Sequence, residues 1–251
     1  MSDDILLVET DDRVCTLTLN RPQARNALST ELRRRFFAAL AEADRDEAVD
    51  VVILTGSDPV FCAGLDLKEL GSSTALPDIS PQWPSMSKPV IGAVNGAAVT
   101  GGLELALSCD ILIASERARF ADTHARVGLL PTWGLSVRLP QLVGAGLARR
   151  MSLTGDYLSA GDALRAGLVT EVVPHDRLLA AAREVAGSIV GNNPAAVRAL
   201  LASYHRIDEA QTAGGLWIEA ESARQWMRKA STNDIAANRD AVLQRGRSQV
   251  R

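Results

Sequence analysis

The 251-residue chain has little of the most easily read chemistry: three histidines, three cysteines and no excess of basic residues. Cys15, Cys62 and Cys109 are far apart and each lies in an apolar run. That excludes a disulfide framework and fits free, buried thiols in a reducing compartment. No two of these cysteines and His124, His175 and His205 have ligand spacing, so no metal site is expected. The formal charge is −3, from 27 Lys and Arg against 30 Asp and Glu, which leaves no basic footprint for nucleic acid.

Long hydrophobic runs are also missing. The longest apolar stretch, 89–107, is interrupted by Asn95, Thr100, Glu104 and several glycines, which excludes a membrane span. The acidic start Met1-Ser2-Asp3-Asp4 predicts no secretory signal and a cytoplasmic protein. There is no GxSxG, no P-loop and no carboxylate-rich metal motif. Gly144-Ala145-Gly146 lacks the third glycine and the preceding strand of a dinucleotide loop.

What is present is a mixed α/β pattern. Residues 5–10 and 14–20 read as a hairpin around Asp11-Asp12-Arg13. Ser29 is placed to cap an amphipathic helix through Leu32, Phe36, Phe37, Leu40 and Ala43. Residues 51–55 form a continuous apolar run typical of a buried strand, and 61–64 a shorter one. A Ser- and Pro-rich loop is expected over 71–86, then a strand at 89–94, a helix at 101–108, and strands at 110–114 and 118–121. These are repeating strand-strand-helix units, with no clear repeat in residue identity. From about Leu139 the pattern becomes mostly helical, with helices expected at 178–189, 194–204, 209–227 and 233–245. Their apolar faces need the main domain or another subunit to cover them. The length fits one large domain, or one domain with a helical appendage.

Two segments carry the chemistry. Thr100-Gly101-Gly102-Leu103-Glu104 opens a helix with two glycines, where unpaired N–H groups and a partial positive charge favour an anion. Glu104 sits among Leu103, Leu105, Ala106 and Leu107, and a buried carboxylate needs a partner or a task. The second segment, Phe61-Cys62-Ala63-Gly64-Leu65-Asp66-Leu67-Lys68-Glu69, lies about forty residues earlier and reads as a strand, a glycine turn and a helix start. Read singly, each is as consistent with close helix packing as with ligand binding.

Together, in this order and spacing, the segments resemble the enoyl-CoA hydratase (crotonase) family. Leu19-Asn20-Arg21-Pro22, Asn26-Ala27-Leu28, Leu153-Thr154-Gly155 and the run 163–173 (ALRAGLVTEVV) match further family signatures. The similarity covers about 6–173, and beyond that only length and helical character match. It implies a ββα spiral core over 1–190 with a helical, trimer-forming region over 191–251, assembled as a trimer or dimer of trimers. It also implies an acyl-CoA thioester substrate, with coenzyme A as part of that substrate and no separate cofactor. By position Leu65 and Gly101 supply the backbone N–H donors of an oxyanion hole, and Glu104 matches the first catalytic glutamate. Ala63 and Gly64 line the site, Arg25 and Lys68 are candidates for contact with the coenzyme head, and Trp133 replaces a small residue nearby, either narrowing the pocket or packing in the core.

One position departs from the family. Its second glutamate aligns with His124, and Asp122 stands two residues before. Three readings follow. His124 replaces the second acid–base group, oriented or supplemented by Asp122, since its reference pKa suits proton transfer near neutrality. Alternatively, Glu104 works alone and the enzyme is an isomerase or another single-carboxylate member of the superfamily. Or the site is weakly catalytic and mainly binds acyl-CoA.

Overall fold

Three successive stretches of the chain each fold as strand, strand, helix, and this repeat builds the site. The computed structural model describes residues 4–72, 83 and 86–228. A hairpin of β1 (Leu6–Asp11) and β2 (Val14–Leu19) comes first, then α1 (Thr30–Arg45). The first repeat is β3 (Val51–Gly56), β4 (Val60–Cys62) and α2 (Leu67–Ser72). The second is β5 (Val90–Val94), β6 (Ala97–Val99) and α3 (Gly101–Leu107); the third is β7 (Ile111–Ser115), β8 (Arg119–Ala121) and α4 (His124–Val127). Then follow α5 (Leu135–Thr154), β9 (Leu158–Ser159), α6 (Ala160–Arg165), β10 (Glu171–Val173), α7 (Leu178–Val190) and α8 (Pro194–Met227).

First strands and second strands separate into two sheets. One has the order β1-β2-β3-β5-β7-β10 and the other β4-β6-β8-β9. The pairs β2–β3, β3–β5, β5–β7, β4–β6 and β6–β8 are parallel. The chain therefore advances one strand per repeat as a spiral. The ends of β4, β6 and β8 lie side by side, with Cys62 opposite Ala98 and Val99 opposite Ala121. The residues just beyond them, 63–65, 100–101 and 122–124, are thereby gathered at one edge.

The larger sheet is covered on both faces, which is why its strands read as continuous apolar runs. In β3, Val52 and Leu54 face the cluster containing Leu32, Phe36 and Leu40 of α1. Val51 and Ile53 face the opposite way, onto Ala182 and Ala186 of α7. Alternation along the strand thus divides two cores. Ser29 caps α1 as expected, its Oγ accepting the Leu32 N–H at 3.2 Å. Lys88 is buried at the far end, where its ammonium donates to the Ala43 and Asp46 carbonyls and satisfies the last turn.

Two expectations change. The helices expected at 194–204 and 209–227 are one continuous helix, α8, of 34 residues. The intervening His205-Arg206-Ile207-Asp208 contains no proline or glycine to stop it. β6 escapes the sequence pattern because three residues after Asn95-Gly96 show no periodicity. α2 runs through Ser72 into the expected 71–86 loop, and the rest of that loop, except Trp83 and Met86, lies outside the described residues. So does the helix expected at 233–245. No helix among the described residues is long and apolar enough to cross a membrane.

Candidate active site

Backbone geometry builds a notch with two N–H donors unpaired among the described residues. Gly64 sits at φ +90°, and a Cβ there would lie 2.9 Å from the Val99 carbonyl. Only glycine fits such a turn cheaply. A short parallel bridge follows: the Leu28 N–H donates to Gly64 O at 2.8 Å and the Asp66 N–H to Leu28 O at 3.2 Å. The Leu65 N–H between them has no acceptor among the described residues. Nor does that of Gly101, the first residue of α3. A methyl on Gly101 would sit 3.5 Å from Leu65 N, so the two donors share one notch. Gly102 serves packing instead, since a Cβ there would fall 2.1 Å from Cys62 O.

The N-terminal signature is the brace behind this notch. Asn26 is fully buried at φ +53°, a left-handed conformation that asparagine tolerates. Its Oδ1 accepts the Arg21 N–H, and its Nδ2 donates to the Ser57 and Val60 carbonyls, both at 2.7 Å. The Arg21 guanidinium donates to Ala27 O at 2.6 Å and to the Asp66 carboxylate at 3.0 Å. One arginine and one asparagine thus tie 20–28 to the 56–66 segment.

Three buried ionisable groups, Glu104 on α3 with His124 and Asp122, form a line. Glu104 is 3% exposed. Its Oε1 accepts the Trp133 N–H at 2.8 Å and the Thr132 N–H at 3.3 Å. Its Oε2 lies 3.7 Å from His124 Nε2. His124 Nδ1 lies 2.7 Å from Asp122 Oδ1, which also accepts the His124 backbone N–H at 3.1 Å. Asp122 thereby favours the Nδ1–H form of the ring and leaves Nε2 toward Glu104. Burial pushes the Glu104 carboxyl up to about 7, helped by the charges of Glu219 and Asp122 and opposed by His124 and the Trp133 N–H. Burial would lower His124, but the Asp122 hydrogen bond and the charges of Glu104, Asp122 and Glu219 outweigh it, so the imidazole is raised. Burial would raise Asp122, but its bonds to His124 outweigh that and hold it low. A base near neutrality thus stands beside a readily protonated imidazole.

Thr100, at φ +57°, precedes Gly101 in a conformation unusual for a β-branched residue. It is clamped by a 2.6 Å hydroxyl contact with Thr123, the neighbour of His124. The other expected site residues take lesser positions. Ala63 is half-buried, and its N–H donates to the Arg25 carbonyl at 3.1 Å. Arg25 and Lys68 are exposed. The Trp133 indole packs in the core, edge-on to Phe37 at 6.4 Å, and its tie to Glu104 is through the backbone. A cavity of about 460 Å³ at the α5–α6 junction, lined by Arg150, Tyr157 and Arg165 among others, includes neither Glu104 nor His124. The perturbed ionisable groups Glu104, His124 and Asp122 are gathered apart from that cavity.

Sequence reading missed Glu219, whose Oε1 and Oε2 accept the Gly134 and Ser136 N–H groups, both at 2.7 Å. Its only sequence signal is a glutamate in a helix, so nothing marked it. A Ser-His-Asp line elsewhere in the fold is not a nucleophilic site. His175 joins Ser115 Oγ and Asp58, each at 3.0 Å, but Ser115 is fully buried and its hydroxyl accepts the Arg117 N–H.

The ββα spiral, with backbone donors at Leu65 and Gly101 unpaired among the described residues and a buried carboxylate on α3, is the arrangement of the crotonase class. The family model described as enoyl-CoA hydratase/isomerase matches residues 9–239. A probable peroxisomal enoyl-CoA hydratase 1 of Arabidopsis thaliana is 42% identical over 199 residues, 76% of this chain and 75% of that one. A probable enoyl-CoA hydratase of Rhizobium meliloti (strain 1021) is 42% identical over 226 residues, covering 87% and 88%. The crystal structure of an enoyl-CoA hydratase from Mycobacterium avium superposes with a TM-score of 0.87 at 78% identity, covering 90% of this chain and 98% of that one. The chain belongs to the enoyl-CoA hydratase/isomerase family and is an enzyme of the crotonase superfamily.

Proposed function

We propose that the protein hydrates a trans-2-enoyl-CoA thioester, with Glu104 and His124 as its two proton-handling groups. The observation that carries this is the Asp122–His124–Glu104 line, in which the imidazole Nε2 stands 3.7 Å from the carboxylate. The thioester oxygen sits between the Leu65 and Gly101 N–H groups, each contributing roughly 3 kcal/mol to an enolate-like transition state. Glu104, ionised, takes a proton from water as its oxygen bonds to Cβ. The alkene electron pair moves to Cα and into the held carbonyl. The His124 imidazolium delivers a proton to Cα, and Glu104 then returns a proton to His124. The sum is one water added.

Ala63 and Gly64 would flank the thioester, and Arg25 and Lys68 would meet the phosphates or adenine of coenzyme A. Trp133 would close the acyl side through its packing. The assembly in this reading is a homotrimer or dimer of trimers built on 191–251. Exposed Leu200, Tyr204, Ile207, Trp217 and Ile218 on α8 support it. The test is mass analysis of products from a panel of trans-2-enoyl-CoAs. A product heavier by one water supports hydration. A product of unchanged mass with a moved double bond would replace it with an isomerase using Glu104 alone. Binding without turnover would leave an acyl-CoA-binding protein.

A further inference from the structure

We propose that Glu219, on the C-terminal helix, is a positioning residue of the active site, holding the 132–136 segment whose backbone in turn holds Glu104. The inference rests on Glu104 being the base proposed above. Glu219 lies 7% exposed on α8, 85 residues away in sequence from Gly134. Its two oxygens take the Gly134 and Ser136 N–H groups at the start of α5, both at 2.7 Å. These bonds satisfy donors that the helix start leaves unpaired. The two residues just before, Thr132 and Trp133, point their N–H groups at Glu104 Oε1. The segment is thus gripped by one carboxylate from each side. Seven residues further along the same helix, Trp226 donates its indole N–H to Gly128 O at 2.8 Å, at the end of α4, the helix that carries His124. Helix α8 therefore grips the segment whose backbone holds Glu104 and the end of the helix that carries His124.

The geometry has an electrostatic consequence. The charged groups around Glu104 are His124 and Asp122 at the end of the second sheet, Arg138 on α5 and Glu219 on α8. Glu219 is one of the charges that raise Glu104. Without that negative charge Glu104 ionises more readily, and the acid limb of kcat moves to lower pH. Substitution also frees the 132–134 backbone, and misplacing a catalytic group costs roughly tenfold to a hundredfold in rate.

The experiment compares wild type, Glu219→Gln, Glu219→Asp and the helix control Glu221→Gln. It measures kcat and KM against pH, and titrates the Glu104 carboxyl by carbon NMR in glutamate-labelled protein, assigned with Glu104→Gln. The expected result for Glu219→Gln is a kcat lower by about tenfold or more, KM within about twofold, and both the kinetic limb and the Glu104 midpoint displaced to lower pH. Glu219→Asp, which restores the charge, returns the midpoint toward wild type, and Glu221→Gln changes nothing. A lower Tm with wild-type kcat and an unmoved Glu104 midpoint would overturn the proposal, leaving Glu219 a structural cap. If wild type does not hydrate enoyl-CoA, the NMR midpoint alone decides: displaced by Glu219→Gln it supports the positioning role, unmoved it ends it.

Discussion

Replacing Asp122 by Asn isolates what the imidazole does. The asparagine keeps an oxygen near the His124 ring Nδ1 and amide, which Asp122 Oδ1 holds at 2.7 Å and 3.1 Å. What it removes is the charge. A hydrogen bond to a charged group is worth about 1.5–3 kcal/mol, a neutral one about 0.5–1.5. The imidazolium therefore loses about 1–1.5 kcal/mol, or about one pKa unit. In wild type, burial would lower His124, and Asp122 with Glu104 more than reverses that. Because the imidazolium is the proton donor, kcat falls on the alkaline side as His124 loses its proton. In Asp122→Asn that limb moves about one unit to lower pH, leaving kcat close to wild type below it and about tenfold lower above it. Stability follows the same group. A raised histidine stabilises the fold fully below its unfolded value of about 6.5, and loses that contribution as pH rises through its folded value. The variant should therefore lose most Tm on the acidic side of neutrality. The assay is kcat for hydration of a short trans-2-enoyl-CoA across the pH range, with a Tm series beside it. An alkaline limb that stays in place, with kcat lowered equally at every pH, would refute the reasoning, because His124 would then not be the titrating donor.

Two further outcomes follow from the same site. Burial holds Glu104 up near 7, so the folded state loses stability relative to the unfolded chain as pH rises from about 4.5 to about 7, approaching about 3 kcal/mol. Glu104→Gln keeps an acceptor for the Trp133 N–H, so the variant should be more stable than wild type near pH 8, by about 2–3 kcal/mol, and equal near pH 4.5; denaturant midpoints alike at both pH values would contradict this. The adjacent glycines should separate activity from folding. Gly101→Ala meets its neighbours at 3.5 Å, so it should fold normally and lose at least about a hundredfold in kcat as the methyl enters the notch. Gly102→Ala drives its methyl 2.1 Å from Cys62 O, so it should destabilise by about 3 kcal/mol or more in thermal or urea unfolding.

The apolar runs at 51–55 and 89–94 and the cap at Ser29 were legible because burial and capping leave local patterns. Glu104 and the two donor positions, Leu65 and Gly101, were suggested by the resemblance to the enoyl-CoA hydratase family rather than by any local pattern. The long-range ties were not legible. Nothing near Trp133 shows that its amide rather than its ring touches Glu104, and nothing near Glu219 shows that it reaches Gly134. Such contacts depend on how α5 and α8 pack, a tertiary matter with no period in the chain. The single long α8 escaped for the opposite reason: a polar stretch at 205–208 imitates a break where the backbone simply continues.

The central claim is that Glu104 and His124 act as one acid–base unit, and kcat/KM for hydration by Glu104→Gln, His124→Ala and the double variant tests it most directly. The account predicts that each single variant loses at least about a hundredfold and that the double variant falls little below the weaker single, as for groups that work together. A His124→Ala enzyme that hydrates at the wild-type rate, or a double variant whose loss is the full product of the singles, would contradict it.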